Sequence, residues 1–198
     1  MHEERLAAFS RERLDGRPLP DDLRTLLVAQ WEGRDAFTRL LRLDLFAPGE
    51  THPLLDTDYL SEAELADPEM QCINAAAAQL AAHLKLVARG GRGWVGYWLH
   101  PDEPADRGWR PAELDTEFSV RTLPGRTLAE AAAAELAHYR DESDERAGYA
   151  ALVAELAALG LPLDSREYDA LDRTEPRVDP EGLMEELIEA ERGRRGLH

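Results

Sequence analysis

The residues of this chain that most resemble a chemical motif are the glycines of Gly90-Gly91-Arg92-Gly93-Trp94-Val95-Gly96-Tyr97-Trp98-Leu99-His100. Gly91, Gly93 and Gly96 spell G-x-G-x-x-G, the pattern of a dinucleotide-binding loop. Such a loop needs a helix to begin within it, because the helix N-terminus holds the pyrophosphate. Here the glycines run into Trp94, Val95, Tyr97 and Trp98, residue types that favour strand, and Pro101 leaves no room for a helix. The stretch therefore reads as a turn from Gly90 to Gly93 followed by an aromatic strand, with Gly96 admitting a close neighbour. On a strand, Trp94, Gly96 and Trp98 share one face.

The other reactive residue types form no constellation. The six histidines, His2, His52, His83, His100, His138 and His198, include no pair at i, i+3 or i, i+4, and H-E-x-x-H is absent. Cys72 is the single cysteine, which excludes a disulfide framework or a four-thiolate metal site within one chain. Asp56-Thr57-Asp58 begins like a calcium loop, but Leu60 and Ser61 stand where a ligand and the turn glycine belong. Asp102/Glu103 and Asp115/Glu117 are carboxylate pairs of the kind used in acid–base work, yet 40 acidic residues produce such pairs by chance. No serine lies in a G-x-S-x-G. No catalytic residue, cofactor-binding residue or metal ligand is assigned.

Apolar spacing gives the elements that would position any site. Leu6, Phe9 and Leu14 mark a short helix over 3–14, and Gly16, Pro18 and Pro20 break the chain after it. Asp21 and Asp22 open a helix with Leu23, Leu26, Leu27 and Trp31 on one face, where acidic residues suit the dipole, and Gly33 stops it. A helical piece follows over 35–43, then mixed, loop-like sequence over 50–66. Asp67-Pro68 is an N-cap and first-turn pair. It starts a helix whose small face, Ala75 to Ala78, predicts close packing on a sheet or another helix. Leu86 to Ala88 and Trp94 to Leu99 read as a β-hairpin, and Ala112 to Leu114 and Phe118 to Leu123 as two further strands. Thr127-Leu128-Ala129-Glu130 is a capping box opening a helix to about Tyr139. Another runs from about Asp144 to Leu159, ended by Gly160 and Pro162, and Asp179-Pro180 starts the last. Helices, then strands, then helices predict an α+β fold, a small antiparallel or mixed sheet flanked by N-terminal and C-terminal helices. The expected division is an α+β domain over 1–140 and an acidic helical extension over 141–198, packed on that domain.

The chain has 198 residues, 43% of them hydrophobic, and carries a net charge of −17. Residues 141–190 hold 15 acidic residues against 4 arginines, most of that surplus. A nucleic-acid ligand is not expected, because displacing counterions from phosphates needs a basic face. An acidic surface suits a basic protein partner; solubility is its plainer meaning. No apolar run approaches the length of a membrane span, and Met-His-Glu-Glu-Arg does not open a signal peptide. The cytoplasm is the expected location.

Several motifs, taken with the order of elements, resemble the SUKH superfamily, which joins fungal cell-wall regulators of the Smi and Knr type to bacterial toxin-immunity proteins. They are Leu19-Pro20 followed by Leu23, Leu26 and Leu27; Trp31-Glu32-Gly33; Gly93-Trp94 through Trp98; Leu114-Asp115-Thr116-Glu117-Phe118; and Thr127-Leu128-Ala129-Glu130. The resemblance covers about residues 19–139. Two departures stand out: the usual Asn-Gly after the first helix is missing, and Phe118 replaces a glycine common after the acidic residue of the later strand. The resemblance implies an α+β domain and a non-enzymatic role in which a toxin is neutralised by direct binding. An acidic inhibitor complements toxins that are basic because they hold phosphates.

The primary expectation is thus a cytoplasmic binding protein with a basic partner. Its expected contacts are Trp94, Trp98, Asp102, Glu103, Asp106 and Trp109, since tryptophan often anchors interfaces. The plainer reading of Trp94 and Trp98 is that both are core residues; Trp109, amid Arg107, Gly108 and Arg110, is the better candidate for exposure. The competing expectation is a small-molecule-binding or enzymatic domain with a pocket beside the central hairpin. A third is a homo-oligomer built through the C-terminal helices.

Overall fold

A computed structural model describes residues 2–47, 49–104, 109–140 and 144–197. Eight α-helices lie among them: α1 (His2–Arg13), α2 (Asp21–Trp31), α3 (Ala36–Leu41), α4 (Glu62–Ala66), α5 (Pro68–Ala81), α6 (Leu128–Arg140), α7 (Glu145–Ala158) and α8 (Pro180–Arg195). The strands β1 (Asp44–Leu45), β2 (Leu84–Arg89), β3 (Gly93–Trp98), β4 (Arg110–Asp115) and β5 (Val120–Thr122) form one antiparallel sheet in sequence order. The fold is α+β, with a small sheet between helical layers.

Period-2 alternation of the strands makes two cores. Leu84, Leu86, Trp98, Ala112, Leu114 and Val120 face α5 and α8, which contribute Leu80, Leu183 and Leu187. On the other face, Val95 and Tyr97 meet α1, α2 and α6, and α7 closes over α6 with Tyr149, Leu152 and Leu156. Gly148 brings α7 so near α6 that an added Cβ would stand 3.6 Å from the Ala137 Cα. The small-faced helix α5 packs on both β2 and α8. Gln79 donates to Glu191 (2.8 Å) and Arg192 to Glu69 (2.8 Å) across the α5–α8 seam.

The helix caps form largely where the sequence places them. Asp67 accepts from the N–H groups of Glu69 and Met70, and Asp179 from that of Gly182. Thr127 accepts from Glu130 N–H (3.1 Å), but the Glu130 carboxylate reaches back to Arg126 N–H rather than to Thr127. Its second oxygen accepts from Ser165 N–H (2.7 Å), tying α6 to the chain beyond α7.

Three elements depart from the sequence reading. The strand expected from Phe118 to Leu123 is confined to β5 (Val120–Thr122), because Phe118 takes the left-handed position of the turn before it. Residues 50–66 are not wholly loop: a 3-10 turn (Pro53–Leu55) and α4 lie there, the latter with a complete capping box between Ser61 and Glu64. All five α4 residues are exposed, so no apolar stripe advertises it. Strand β1 is only two residues long. Beyond its pairing with β2, Gln30 completes it, accepting from Leu45 N–H (3.2 Å) and donating to the Leu45 carbonyl (3.0 Å) like a neighbouring strand.

Gly93 and Gly96 of the G-x-G-x-x-G lie inside β3, not at a helix start. A Cβ on Gly96 would sit 2.0 Å from the Lys85 carbonyl oxygen, beside a register shift between Leu86 and Ala88. One on Gly93 would sit 2.2 Å from the Leu114 carbonyl oxygen. These glycines let three strands close up; Gly91 alone of the pattern faces open space.

Candidate functional site

Antiparallel connectivity sends β3 between two ends of the sheet. One end carries the β2–β3 turn (90–92) and the β4–β5 turn (116–119); the other carries the β3–β4 connection (99–109). The residues expected to bind a partner divide between them.

At the connection end they are committed to the fold. Trp98 is 1% exposed and packs in the α5–α8 core, stacked on His100 with His83 against its edge. Trp109 is not freely exposed, as expected from its arginine neighbours, but half-buried, its ring set edge-on to Tyr97 at 5.0 Å. The Tyr97 ring, fully buried in the core, supplies an apolar surface that outweighs the local polarity of the sequence. Glu103 is no surface acid either: one carboxylate oxygen accepts from the backbone N–H groups of Arg177 (2.7 Å) and Val178 (3.0 Å). The segment before α8 thereby straps the connection down, and Arg110 adds a bond to the Thr174 carbonyl. Asp102 is exposed, with its N–H on His100 Nδ1 (3.2 Å). Asp106 lies outside the described residues.

Only Trp94 belongs to the turn end, where it is half-buried and meets Phe118 at 6.3 Å between ring centroids. Phe118 in turn stacks on Tyr59 at 6.2 Å. Phe118 is 38% exposed and Tyr59 63%. The three rings form an aromatic strip from the sheet to the surface. Acidic residues border it: Asp56 and Asp58 before Tyr59, Glu62 and Glu64 after it, and Glu117 before Phe118, all exposed. Beside Trp94 an open groove of about 590 Å³ runs between the two turns.

The backbone at Phe118 is the most informative local feature. Asp115 N–H donates to the Ser119 carbonyl and Phe118 N–H to the Asp115 carbonyl. The Asp115 carboxylate accepts from the N–H groups of Glu117 and Ser119, both at 2.9 Å. This three-residue hairpin loop needs a left-handed residue at its last position, the usual place for glycine. Phe118 occupies it at φ +65°. For a bulky residue that conformation costs about 1–2 kcal/mol. The chain bears the cost and leaves the ring at the surface.

Sequence reasoning missed Tyr59, which has no pattern around it. Phe118 had a signal, an aromatic residue replacing a common glycine, but nothing then showed its exposure.

Among the described residues no group of three or more His, Cys, Asp or Glu is placed to hold a metal ion, and no helix is long and apolar enough to cross a membrane. No family model, curated protein or solved structure matched the chain when it was compared with each.

Proposed function

We propose that this chain is a cytoplasmic, non-enzymatic binding protein of the SUKH kind that captures a basic protein partner through the turn end of its sheet. The observation that carries the reading is Phe118, a surface aromatic held in a glycine conformation, flanked by Tyr59 and Trp94 and bordered by carboxylates. Strained backbone persists where the surroundings over-determine it, and it concentrates at functional sites. Large aromatics supply the desolvated centre of an interface and charges its rim, which steers association. The antiparallel meander flanked by helices is what a SUKH domain would require, and the net charge of −17 favours a basic protein over nucleic acid. Within this reading the partner is a toxin and binding blocks it.

The test is capture of basic proteins from the encoding organism at low and high salt, by the parent chain and by Phe118→Gly. Glycine relieves the backbone and removes the anchor. The reading expects a basic partner retained by the parent at low salt, released at high salt, and lost from the variant. Equal retention by the variant, or retention indifferent to salt, would overturn it.

A further inference from the structure

A second concavity, on the opposite face of the sheet from α5 and α8, has different chemistry. It lies between α6, β3 and the chain entering β1, and encloses about 150 Å³. Its floor is apolar: Leu41, Leu43, Val95, Leu128 and Leu136 line it, each less than 9% exposed to solvent. Ala132 lines the α6 side, and its small side chain leaves the space open. Interiors normally close such voids, because atoms lining an empty space lose their contacts. A volume of this order has room for a benzene-sized ring.

The mouth is cationic in a strongly acidic chain. Arg42 and Arg92 line it, both exposed and, among the described residues, neither paired with a carboxylate. Arg92 stacks over the Tyr139 ring at 5.4 Å and donates to its hydroxyl, which fixes the guanidinium at the rim. Two carboxylates also line the cleft, Glu113 and Glu135, and both are engaged by Arg121: Glu113 at 2.7 Å, with Glu135 completing the bridge. Three arginines thus face two carboxylates, leaving a local excess of positive charge.

We propose that this cleft binds a small monocarboxylate with an apolar body of about six carbons, the body on the leucine floor and the carboxylate at Arg92 and Arg42. Guanidinium suits a carboxylate because its paired N–H groups match the two oxygens. The cleft shares the β2–β3 turn and Arg92 with the groove beside Trp94 but none of the rings of Tyr59, Trp94 and Phe118. Loss of carboxylate binding in Ala132→Leu with partner capture intact, or the reverse in Phe118→Gly, therefore tells failure of one from failure of the other.

The experiment titrates the purified chain with benzoate and hexanoate, and with benzamide and hexylamine as the neutral and cationic counterparts, by calorimetry and ligand-observed NMR. The expected result is saturable binding of both carboxylates, with benzamide and hexylamine at least tenfold weaker. Ala132→Leu, which fills the cleft, should abolish binding and raise the melting temperature. If that variant does not fold, Arg92→Glu, in an exposed turn, provides the test: carboxylate binding at least tenfold weaker at an unchanged melting temperature. Hexylamine binding as tightly as hexanoate, carboxylate affinity unchanged in Arg92→Glu, or no saturable binding of either carboxylate at millimolar concentration would overturn the proposal.

Discussion

The two ends of strand β3 carry similar residues and put them to opposite uses. Each has a tryptophan on the α5–α8 face, Trp94 at one end and Trp98 at the other, and each adjoins acidic loop residues. At the connection end α5, α8 and the segment before α8 lie over the sheet, so Trp98 is buried and Glu103 is taken up by backbone N–H groups. At the turn end that cover stops. Trp94 is left half-exposed, Phe118 and Tyr59 extend from it, and, among the described residues, the exposed carboxylates of Asp58, Glu62 and Glu117 have no protein partner. The difference teaches that a residue type does not make an interface. What decides is whether the fold has already supplied it with a partner.

Tryptophan truncations should separate the two ends most strongly. Trp98→Ala empties a closed site and should cost about 3–5 kcal/mol in denaturant unfolding. Trp94→Ala, at the open end, should cost about 1 kcal/mol while weakening partner capture. Equal costs would mean the two ends are equally packed and would break the contrast.

The next largest effect falls on the acids. Glu103→Ala removes the acceptor for two backbone N–H groups, so a loss of about 1–3 kcal/mol is expected. Hydrogen exchange at Arg177 and Val178 should quicken with it. Glu117→Ala at the turn end should stay within about 0.5 kcal/mol. A similar loss at both positions would show that the turn-end acids are structural as well.

Phe118→Gly sharpens the contrast further. Relief of left-handed strain, about 1–2 kcal/mol, opposes the greater chain entropy of glycine, about 0.5–1 kcal/mol. Thermal unfolding should therefore show stability held or raised by up to about 1 kcal/mol. A clear loss would mark Phe118 as a packing residue.

The smallest effect is a response to acid, which belongs to the connection end. Burial holds His52 and His83 below the ordinary histidine range, with His100 and Lys85 adding to the effect on His83. The neutral His52 ring accepts from Leu54 N–H at Nδ1 and contacts the Leu84 carbonyl through Nε2. Both histidines bind a proton more readily in the unfolded chain than in the fold. Their contribution to stability should therefore fall as pH drops below about 6.5 and level off beneath the folded-state values. Melting temperatures between pH 7.5 and 5 would record this, with a shallower slope in His83→Gln; an unchanged slope would remove His83 from the account.

Much of the fold is legible because its signals are local. Asp67-Pro68, Asp179-Pro180 and Gly160 mark helix ends through bonds to residues a few positions away, and the aromatic run from Trp94 marks β3 by residue type. What escaped depends on distant partners. Asp22 reads as a dipole partner of its own helix, yet it accepts from Ala129 N–H (3.0 Å) at the start of α6. Strand β1 forms because Gln30 completes its edge, and Trp109 is sheltered because Tyr97 folds beneath it. The candidate site was legible in part for the same reason. Phe118 announces itself by replacing a glycine, but its contact with Tyr59 spans a long stretch of chain without periodicity, and Trp98 cannot be told from Trp94 until α5 and α8 are in place.

The central claim, that the turn end is the interaction surface, is tested most directly by hydrogen exchange of the chain with and without its captured partner. New protection is predicted at residues 58–60, 92–94 and 116–119, with the β3–β4 connection unchanged. Protection confined to residues 99–103 and 109, or to the exposed faces of α7 and α8, would contradict it.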